Sequence, residues 1–369
     1  MATALAEAVL RANDNGGYTV PSRATYPHQW NWDSALAALG WAELDAGRAW
    51  TELETLVGAR DPDGMIPHIA FHTRVPDVLG GRLRGALTMI ARPYARYLPG
   101  PVWWGRRLSV DGRRISGITQ PPLAASCVRL LFEQHPDERR AAGLLRPLLR
   151  WHRFLLEERD PTGLGEPVLI HPWESGRDNS VEWDEPLWRV MPEVTVLHRR
   201  DTDSVDAAER PSDEHYRRYL TLVRRGSRIG WRQERLARSG AFRVLDPGFS
   251  AILARAALDL AWLAEQLGEP GIADESRAAS ERILRGVEDC LLASYKPAGD
   301  SGRESRKLPD VVRSVLLNEL NDDRFFLGHK VPPSGYATGA SPPIATTPKP
   351  NEYVSVSAAE QAGSMETCQ

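Results

Sequence analysis

Long helix-forming segments, joined by loops of glycine, proline and aromatic residues, constrain the fold of this chain most. Residues 246–268 and 271–294 both carry apolar side chains at helical spacing, and the short stretch GEPG separates them. Two helices joined by so short a loop form an antiparallel hairpin. Strand-like alternation is weak by comparison, so the sequence predicts an all-α protein built from helical hairpins.

Four further segments carry helix signals: 33–47, 121–134, 146–160 and 212–226. The pattern places Asp33 at the start of the first and Pro147 near the start of the third, where a helix tolerates these residues. The fourth has acids in its first turn and bases in its last, which matches the helix dipole. The sequence therefore predicts helices of ordinary globular length between irregular loops.

Two of the loops resemble each other. The stretches RDPDGMIPHI (60–69) and RDPTGLGEPVLIHP (159–172) each follow a predicted helix and turn at Asp-Pro-x-Gly. Each then continues into an apolar stretch that contains histidine. One helix–turn–helix unit used more than once explains this echo, and such units arranged in a ring form an α/α toroid.

Composition argues against several classes of partner. The formal charge is -3 and the pI is about 6.3, which predicts no nucleic-acid or membrane partner. We see no signal peptide and no apolar stretch of the roughly 18–20 residues that span a bilayer. The three cysteines, Cys127, Cys290 and Cys368, lie far apart in the sequence. This spacing predicts reduced thiols in a cytoplasmic protein and no metal site. Oligomeric state stays open, a homo-oligomer included.

Aromatic residues are concentrated in the loops. Of 12 Trp, seven lie in segments punctuated by Pro or Gly: Trp30, Trp32, Trp103, Trp104, Trp173, Trp183 and Trp188. Ring faces pack on the C–H faces of sugars, while neighbouring carboxylates and amides bind their hydroxyls. The stretch TYPHQWNWDSA (25–35) offers that mixture, as does RYLPGPVWWG (96–105) in part. The alternative is that these rings only seal loops and that Asp33 caps a helix.

The stretch HPWESGRDNSVEWD (171–184), called the acid loop below, supplies carboxylates beside two Trp. Cleavage of a glycosidic bond needs a protonated carboxyl group for the leaving oxygen and a second carboxylate that activates water or attacks carbon. Glu174, Asp178, Glu182 and Asp184 are the candidates, and nearby indole rings raise a carboxyl pKa by excluding water. The alternative for each acid is pairing with Arg177 or with backbone amides.

Six stretches, in order along the chain, resemble glycoside hydrolase family 63: YPHQWNWDSA, GMIPHIAF, YLPGPVWW, GITQPP, the acid loop and DAAERPSDEHYRRYL. The likeness is greatest to the bacterial mannosylglycerate and glucosylglycerate hydrolases, and it covers roughly residues 5–325. It implies an all-α (α/α)6 toroid with one active-site face made by interhelical loops. It also implies inverting hydrolysis of an α-glycosidic bond in a small-molecule carbohydrate such as glucosylglycerate or mannosylglycerate, without metal or cofactor.

The same resemblance implies roles for individual residues. Asp178, in ESGRDNS, matches the general acid of the family. The positions that match its sugar site are Tyr26, Trp30, Trp32, Asp33, Tyr97, Gln120, Trp173 and Tyr219. Which of Tyr216 and Tyr219 faces the glycerate moiety stays open. Gln120 has the alternative of capping a helix, and His68 and His72 in HIAFH are more consistent with a packed pair than with a zinc site.

The C-terminal part departs from the family pattern. The resemblance predicts a toroid domain at 1–326 with an insertion at 73–96, whereas 327–369 is rich in Pro, Ser, Thr, Ala and Gly and predicts a disordered or loosely packed tail. In the family, the catalytic base is a Glu near the C-terminus, after a motif resembling Tyr-Trp-Arg-Gly-Pro-x-Trp. No such motif follows Phe326. We therefore assign no base and expect a toroid that is incomplete at its C-terminus.

Four functional interpretations follow from these patterns. The leading one is a hydrolase of a small α-glycoside with an acidic aglycone. The carboxylate of this aglycone is bound by Arg177 or by another basic residue near the loops. The second is an α-glucosidase acting on oligosaccharides or trehalose. The third is a catalytically impaired homologue that lacks the C-terminal base, and the fourth is a helical interaction scaffold with no affinity for sugar.

Overall fold

The computed structural model describes residues 2–72, 100–194, 206 and 210–294. The helices in these ranges are α1 (Ala2–Asn13), α2 (Asn31–Ala42), α3 (Ala46–Gly58), α4 (Ala124–Gln134), α5 (Glu138–Glu157), α6 (Asp184–Trp188), α7 (Asp213–Arg228), α8 (Gln233–Ser239), α9 (Pro247–Gln266) and α10 (Pro270–Ser294). The strands are β1 (Gln29–Trp30), β2 (Ile69–Phe71), β3 (Arg114–Ile115), β4 (Val168–Leu169) and β5 (Val244–Leu245). The predicted insertion, Tyr97 and the predicted tail lie outside the described residues.

Three helical hairpins form two layers. The helices α2, α4 and α9 contact one another in that order and make the first layer. Each is followed along the chain by its partner, so that α3, α5 and α10 make the second layer and also contact one another in order. This succession of paired helices, in which every hairpin repeats the placement of the one before, is the arrangement that an α/α toroid requires.

Helix α9 is apolar over its whole length because it is packed on several sides. Among the described helices it alone is long and apolar enough to span a membrane, by length and composition only. Our prediction that no stretch reaches such a length is wrong for Pro247–Gln266. Its partners are α4, α5 and α10, and 67% of the apolar window is buried inside the fold. Burial within the helical layers accounts for its composition.

Two predicted helix starts are wrong. Asp33 does not begin its helix, because α2 starts at Asn31, whose backbone N–H donates to Oε1 of the distant Gln120 at 3.1 Å. Pro147 lies in the interior of α5, because Asp137 begins that helix earlier in the chain. The carboxylate of Asp137 accepts from the backbone N–H of Arg140 at 3.0 Å, as an N-cap does.

The two similar loops form the same turn. After α3, Oδ1 of Asp61 accepts a hydrogen bond from the backbone N–H of Gly64 at 2.8 Å. After α5, Asp160 accepts from the backbone N–H groups of Gly163 at 2.8 Å and Gly165 at 2.7 Å. Each turn leads into a short strand, β2 or β4. The predicted echo thus recurs in the structure, but as a second-layer helix followed by an Asp turn and a short strand, and not as a helix–turn–helix unit.

Short strands bring the predicted site segments together. In a three-stranded antiparallel sheet, Gln29 of β1 pairs with Ala70 of β2, which pairs with Ile115 of β3. The aromatic segment before α2, the PHIAF segment and the segment that leads to GITQ are therefore adjacent. A second pair, β4 with β5, anchors the start of the acid loop through Val168 and Leu245.

Candidate active site

Aromatic rings from three separate segments meet around His68. Its ring centroid lies 6.2 Å from that of Trp30 and 6.0 Å from that of Trp173, and 6.3 Å from that of Trp104. Burial, with nearby His171, holds the pKa of His68 well below its usual value, so the ring is neutral. These segments build one apolar floor of buried rings, in which Trp30 and Trp173 are 5% exposed and Trp104 is 0% exposed.

The first turn of α2 carries two further predicted site residues. The ring of Trp32 lies against the acid loop at Gly176, where an added Cβ would come within 3.1 Å of it. Glycine is required at position 176 for two reasons: its φ is +73°, and a side chain there would crowd Trp32. Asp33 is half-buried beside Trp32, and burial raises the pKa of its carboxyl to about 6. The turn thus offers a ring and an acid to the same space.

Three of the four acids in the acid loop have ionic or hydrogen-bonding partners. The carboxylate of Glu174 is fully buried against Arg159. Glu182 pairs with Arg177 at 2.7 Å, and Asp184 lies 3.0 Å from Nε2 of His215. Glu182 thus follows the Arg177 alternative. Glu174 follows the backbone-amide alternative, since it accepts from the N–H groups of Thr119 and Ile170. Asp184, by contrast, has a partner that was not predicted.

Asp178 differs from its neighbours. The residue keeps a solvent-exposed surface, although protein atoms surround its carboxyl. This burial raises the pKa of Asp178 to about 6; Arg210 lowers it and Asp33 raises it. A carboxyl with such a pKa is protonated in roughly a tenth of molecules at pH 7, about a hundred times more often than an ordinary Asp, and a general acid must hold its proton before the reaction. The role of Asp178 as proton donor stays a prediction that this raised pKa supports.

Tyr219 is buried behind Asp178. Its hydroxyl donates a hydrogen bond to the backbone carbonyl of Asp178 at 2.8 Å, and its side chain is 2% exposed. Its ring centroid is 5.5 Å from that of Trp173. Tyr219 therefore supports the backbone that carries the acid. Its predicted contact with substrate, like that of the other sugar-site residues, stays a prediction.

Gln120 connects the segment before α4 to the start of α2. Its Oε1 accepts from the backbone N–H of Asn31 at 3.1 Å and of Trp32 at 3.4 Å. Its side chain is buried, with 4% exposure. The capping alternative is thus correct in kind, but the capped helix is α2 and not the helix that follows Gln120. Through this cap, Gln120 fixes the turn that carries Trp32 and Asp33.

Arg210 is a site residue that the sequence analysis did not single out. One nitrogen of its guanidinium donates to the hydroxyl of Tyr26 at 2.6 Å, and its charge lowers the pKa of Asp178. Tyr26 in turn lies edge-on to Trp30, with centroids 5.3 Å apart. The only sequence signal was its place in ERPSDEH, two residues before Ser212, which caps α7.

Arg177 is engaged elsewhere, and the two histidines of HIAFH are apart. Arg177 contacts Asp246 at 3.0 Å in addition to Glu182. The ring of His72 stacks on Tyr18 at 3.5 Å, whereas His68 lies among the Trp rings. In the part of the chain that the structure describes, no group of three or more His, Cys, Asp or Glu side chains is placed to hold a metal ion.

Comparison with protein families identifies this combination of fold and residues. The model of the mannosylglycerate hydrolase MGH1-like glycoside hydrolase domain matches residues 26–296. The chain belongs to this family. The match includes every described residue placed above around Asp178, from Tyr26 to Tyr219.

Several relatives carry the names of specific hydrolases. The chain is 44% identical over 266 residues to the mannosylglycerate hydrolase MGH1 of Selaginella moellendorffii, covering 70% of this chain and 50% of that protein. It is 44% identical over 267 residues to a Thermus thermophilus mannosylglycerate hydrolase, covering 71% and 60%. It is 36% identical over 277 residues to the glucosylglycerate hydrolase of Mycolicibacterium hassiacum, covering 71% and 58%. The chain spans about half to three fifths of the length of these relatives.

Solved structures confirm the family and the fold. A GH63 mannosylglycerate hydrolase from Thermus thermophilus, in complex with Tris, matches with a TM-score of 0.68 and 38% identity, covering 86% of this chain and 76% of that one. The complex of the same enzyme with glucose matches with a TM-score of 0.64. The predicted all-α (α/α)6 toroid and the resemblance to glycoside hydrolase family 63 are therefore confirmed.

Proposed function

We propose that this chain hydrolyses the α-glycosidic bond of a small glycoside with an acidic aglycone, mannosylglycerate or glucosylglycerate. The observation that carries the proposal is the Asp178 carboxyl: its pKa is raised to about 6, and its backbone carbonyl accepts from Tyr219, whose ring lies 5.5 Å from that of Trp173. Relatives that are 36–44% identical have these two activities by name, and the Thermus thermophilus enzyme of known structure has been crystallised with glucose and with Tris and D-glycerate.

In the proposed mechanism, Asp178 donates its proton to the glycosidic oxygen as the bond to the anomeric carbon breaks. The neutral acid is favoured by burial and by the negative charge of Asp33. Water attacks the opposite face of the sugar, which inverts the configuration at the anomeric carbon. The proposal assigns the proton-donating half of the reaction and leaves the water-activating carboxylate unassigned.

Arg210 is the proposed partner of the substrate carboxylate. Arg210 contacts Tyr26 at the edge of the aromatic floor, and its charge acts on Asp178. The glycerate is attached to the glycosidic oxygen that Asp178 would protonate, so its carboxylate would lie near the positive charge of Arg210. Arg177, the candidate for this role in the sequence analysis, is instead held by Asp246 and Glu182. We also propose a cytoplasmic location, which the buried thiol of Cys127, outside any disulfide, supports.

Replacement of Asp178 by Asn tests the proposed function. Asp178→Asn should lower kcat on mannosylglycerate or glucosylglycerate by roughly 10²–10⁴-fold, since the general acid is lost. Binding of glucose or mannose, measured by calorimetry, should persist because the rings remain. Glu182→Gln, which changes an exposed acid of the same loop, is the matched control and should leave kcat near the wild-type value.

The outcomes separate the competing interpretations. Turnover that is unchanged in Asp178→Asn would show that another group protonates the leaving oxygen. Faster release from trehalose or maltose than from the glycerate glycosides would favour an α-glucosidase. Proton NMR of the sugar first released reports its anomeric configuration, and retention would contradict the proposed inversion.

A further inference from the structure

A buried ion pair lies beneath the acid loop. Arg159 follows α5 and Glu174 belongs to the acid loop, and their side chains are 1% and 0% exposed. The Glu174 carboxylate accepts two hydrogen bonds from Arg159, at 3.1 and 2.5 Å. It also accepts from the backbone N–H groups of Thr119 at 3.1 Å and Ile170 at 2.8 Å. Four donors match the hydrogen-bonding capacity of a carboxylate, so the group is fully satisfied.

Gln233 extends this pair to a third part of the chain. At the start of α8, its Oε1 accepts from Nε of Arg159 at 2.8 Å. Its amide nitrogen donates to the carbonyl of Gly117 at 2.9 Å. Its side chain is also buried, with 4% exposure. We call Arg159, Glu174 and Gln233 the clamp.

The clamp joins the two segments that present the reacting groups. Gly117 and Thr119, which the clamp contacts, lie in the segment that ends in Gln120. Gln120 caps the first turn of α2, which carries Trp32. Glu174 lies directly after Trp173 in the segment that leads to Asp178. The three buried side chains therefore tie the loop of the proton donor to the loop that sets the first turn of α2.

We propose that the clamp is a positioning device for catalysis: it fixes the Asp178 carboxyl relative to the sugar-binding turn of α2. This inference rests on the proposed function of Asp178. A buried ion pair is by itself weak evidence for stability, because removing both charges from water costs about as much as their attraction returns. The clamp touches neither sugar nor the glycosidic bond in the proposed mechanism, so it acts only through the loops that it holds.

A second buried pair in the same region provides a matched control. Asp160 pairs with Arg282 of α10 at 2.7 Å, and the Asp160 side chain is 0% exposed. Its other hydrogen bonds reach Thr162, Gly163 and Gly165 and, among the described residues, none within the acid loop. Asp160→Asn and Glu174→Gln each convert a buried carboxylate opposite an Arg into an amide. Only the second change touches the clamp.

The kinetic test compares two substrates. Glu174→Gln should lower kcat on mannosylglycerate by roughly 10–100-fold, the usual cost of a displacement of about 1 Å, with a smaller change in KM. On a 2,4-dinitrophenyl α-mannoside, the leaving group departs without a proton. The decrease in kcat on this substrate should therefore be about 3-fold or less, well below the decrease that loss of general-acid catalysis causes. Gln233→Met should show the same pattern at smaller size and serves if Glu174→Gln does not fold. Asp160→Asn should lower Tm while leaving both rates near wild type.

A readout without turnover completes the test. Mannose or glucose affinity, measured by calorimetry, should weaken by roughly 10-fold in Glu174→Gln, since Trp32 and Trp173 no longer keep their relative placement. It should be unchanged in Asp160→Asn. Equal losses on both substrates, or equal weakening by both variants, would overturn the positioning role while leaving Asp178 as the acid. A wild-type protein that neither binds sugar nor hydrolyses either substrate would overturn the proposed function itself, and the clamp inference with it.

Discussion

The partners of each carboxylate decide what it can do. Glu174 pairs with Arg159 and Glu182 pairs with Arg177. The Asp178 carboxyl is surrounded by protein, and burial outweighs the effect of Arg210, so its pKa rises to about 6. Proton donation needs a carboxyl that is neutral before the reaction, and the raised pKa of Asp178 supports its proposed role as the donor.

Asp33 contributes to that selection, which gives a prediction for pH. Asp33→Asn should lower the pKa of Asp178, because loss of a neighbouring negative charge makes ionisation of Asp178 less costly. A general acid works only while protonated, so kcat falls as pH rises through its pKa. The high-pH limb of the kcat profile should therefore move to lower pH in the variant. Carbon-13 NMR of the Asp178 carboxyl, assigned with Asp178→Asn, measures the same shift without turnover.

Glu182→Gln is the control for this titration, since Glu182 is an exposed acid already paired with Arg177. It should move the Asp178 midpoint less than Asp33→Asn does. An Asp178 midpoint that rises or stays fixed in Asp33→Asn would show that the two carboxyls do not interact.

The sequence predicted the site residues whose chemistry is visible locally. Rings and acids crowded into Gly- and Pro-containing loops pointed to Trp30, Trp173 and Asp178. It could not predict which acid of the loop would be neutralised by a partner, because Arg159 and Glu174 are brought together by folding. Arg210 and Tyr26 are 184 residues apart in the sequence, and no local pattern joins them. Contacts between distant residues, such as that of Arg210 with Tyr26, were therefore missed, whereas the roles predicted for Trp30, Trp173 and Asp178 stay predictions.

At the scale of the helix, local capping was predictable and distant capping was not. The helix over 212–226 was predicted from its own end charges, and α7 occupies Asp213–Arg228 with Ser212 as its cap. By contrast, Gln120, 89 residues away from Asn31, caps α2. An N-terminus set by a distant side chain leaves no signal in the preceding residues, which explains why Asp33 was misplaced as the helix start.

The repeated Asp turns pack each hairpin on the next and give a prediction for glycine. A Cβ on Gly64 would lie 2.9 Å from the Arg150 carbonyl of α5, and one on Gly165 would lie 2.5 Å from the Arg282 carbonyl of α10. Both glycines have positive φ, +111° and +103°. Gly64→Ala and Gly165→Ala should each lower the free energy of unfolding by roughly 1–3 kcal/mol, measured by denaturant titration.

Gly143→Ala is the matched control within α5, since no atom lies within 4 Å of an added Cβ there and φ is not positive. It should raise the free energy of unfolding by about 0.5–1 kcal/mol, the usual gain from replacing a helical glycine. Equal effects at Gly143 and Gly165 would mean that the turn does not pack against the next hairpin as described.

Across the whole molecule, hairpin packing and the site depend on different contacts. The Asp turns contact the second-layer helices α5 and α10, whereas the clamp and the Gln120 cap join loops around Asp178. A change in one set of contacts is therefore separable from a change in the other, since Asp160→Asn alters an Asp turn and Glu174→Gln alters the clamp. This separation makes the paired variants at Asp160 and Glu174 informative.

One buried acid should impose a pH dependence on global unfolding. Glu166 follows the second Asp turn and packs against α10, where its side chain would lie 3.1 Å from a Cβ on Gly286. Burial raises its pKa from 4.5 to about 7; a hydrogen bond with Cys290 opposes this rise and the charge of Asp160 adds to it. Between pH 4.5 and about 7, Glu166 is ionised in the unfolded chain and still protonated in the folded protein. The contribution of Glu166 to stability is therefore fully present below pH 4.5 and is lost as pH rises to about 7.

Glu166→Gln removes this titration while keeping the shape of the side chain. The variant should have a Tm close to that of wild type at pH 4.5 and a higher one at pH 8, by roughly 2–4 °C if about 1 kcal/mol is recovered. Differential scanning calorimetry across this range measures the difference, and Glu158→Gln, an exposed acid at the end of α5, is the control and should give parallel curves. A Tm difference that does not grow with pH would show that Glu166 is ionised in the folded protein at neutral pH, and hence that the turn holds its charge as readily as water does.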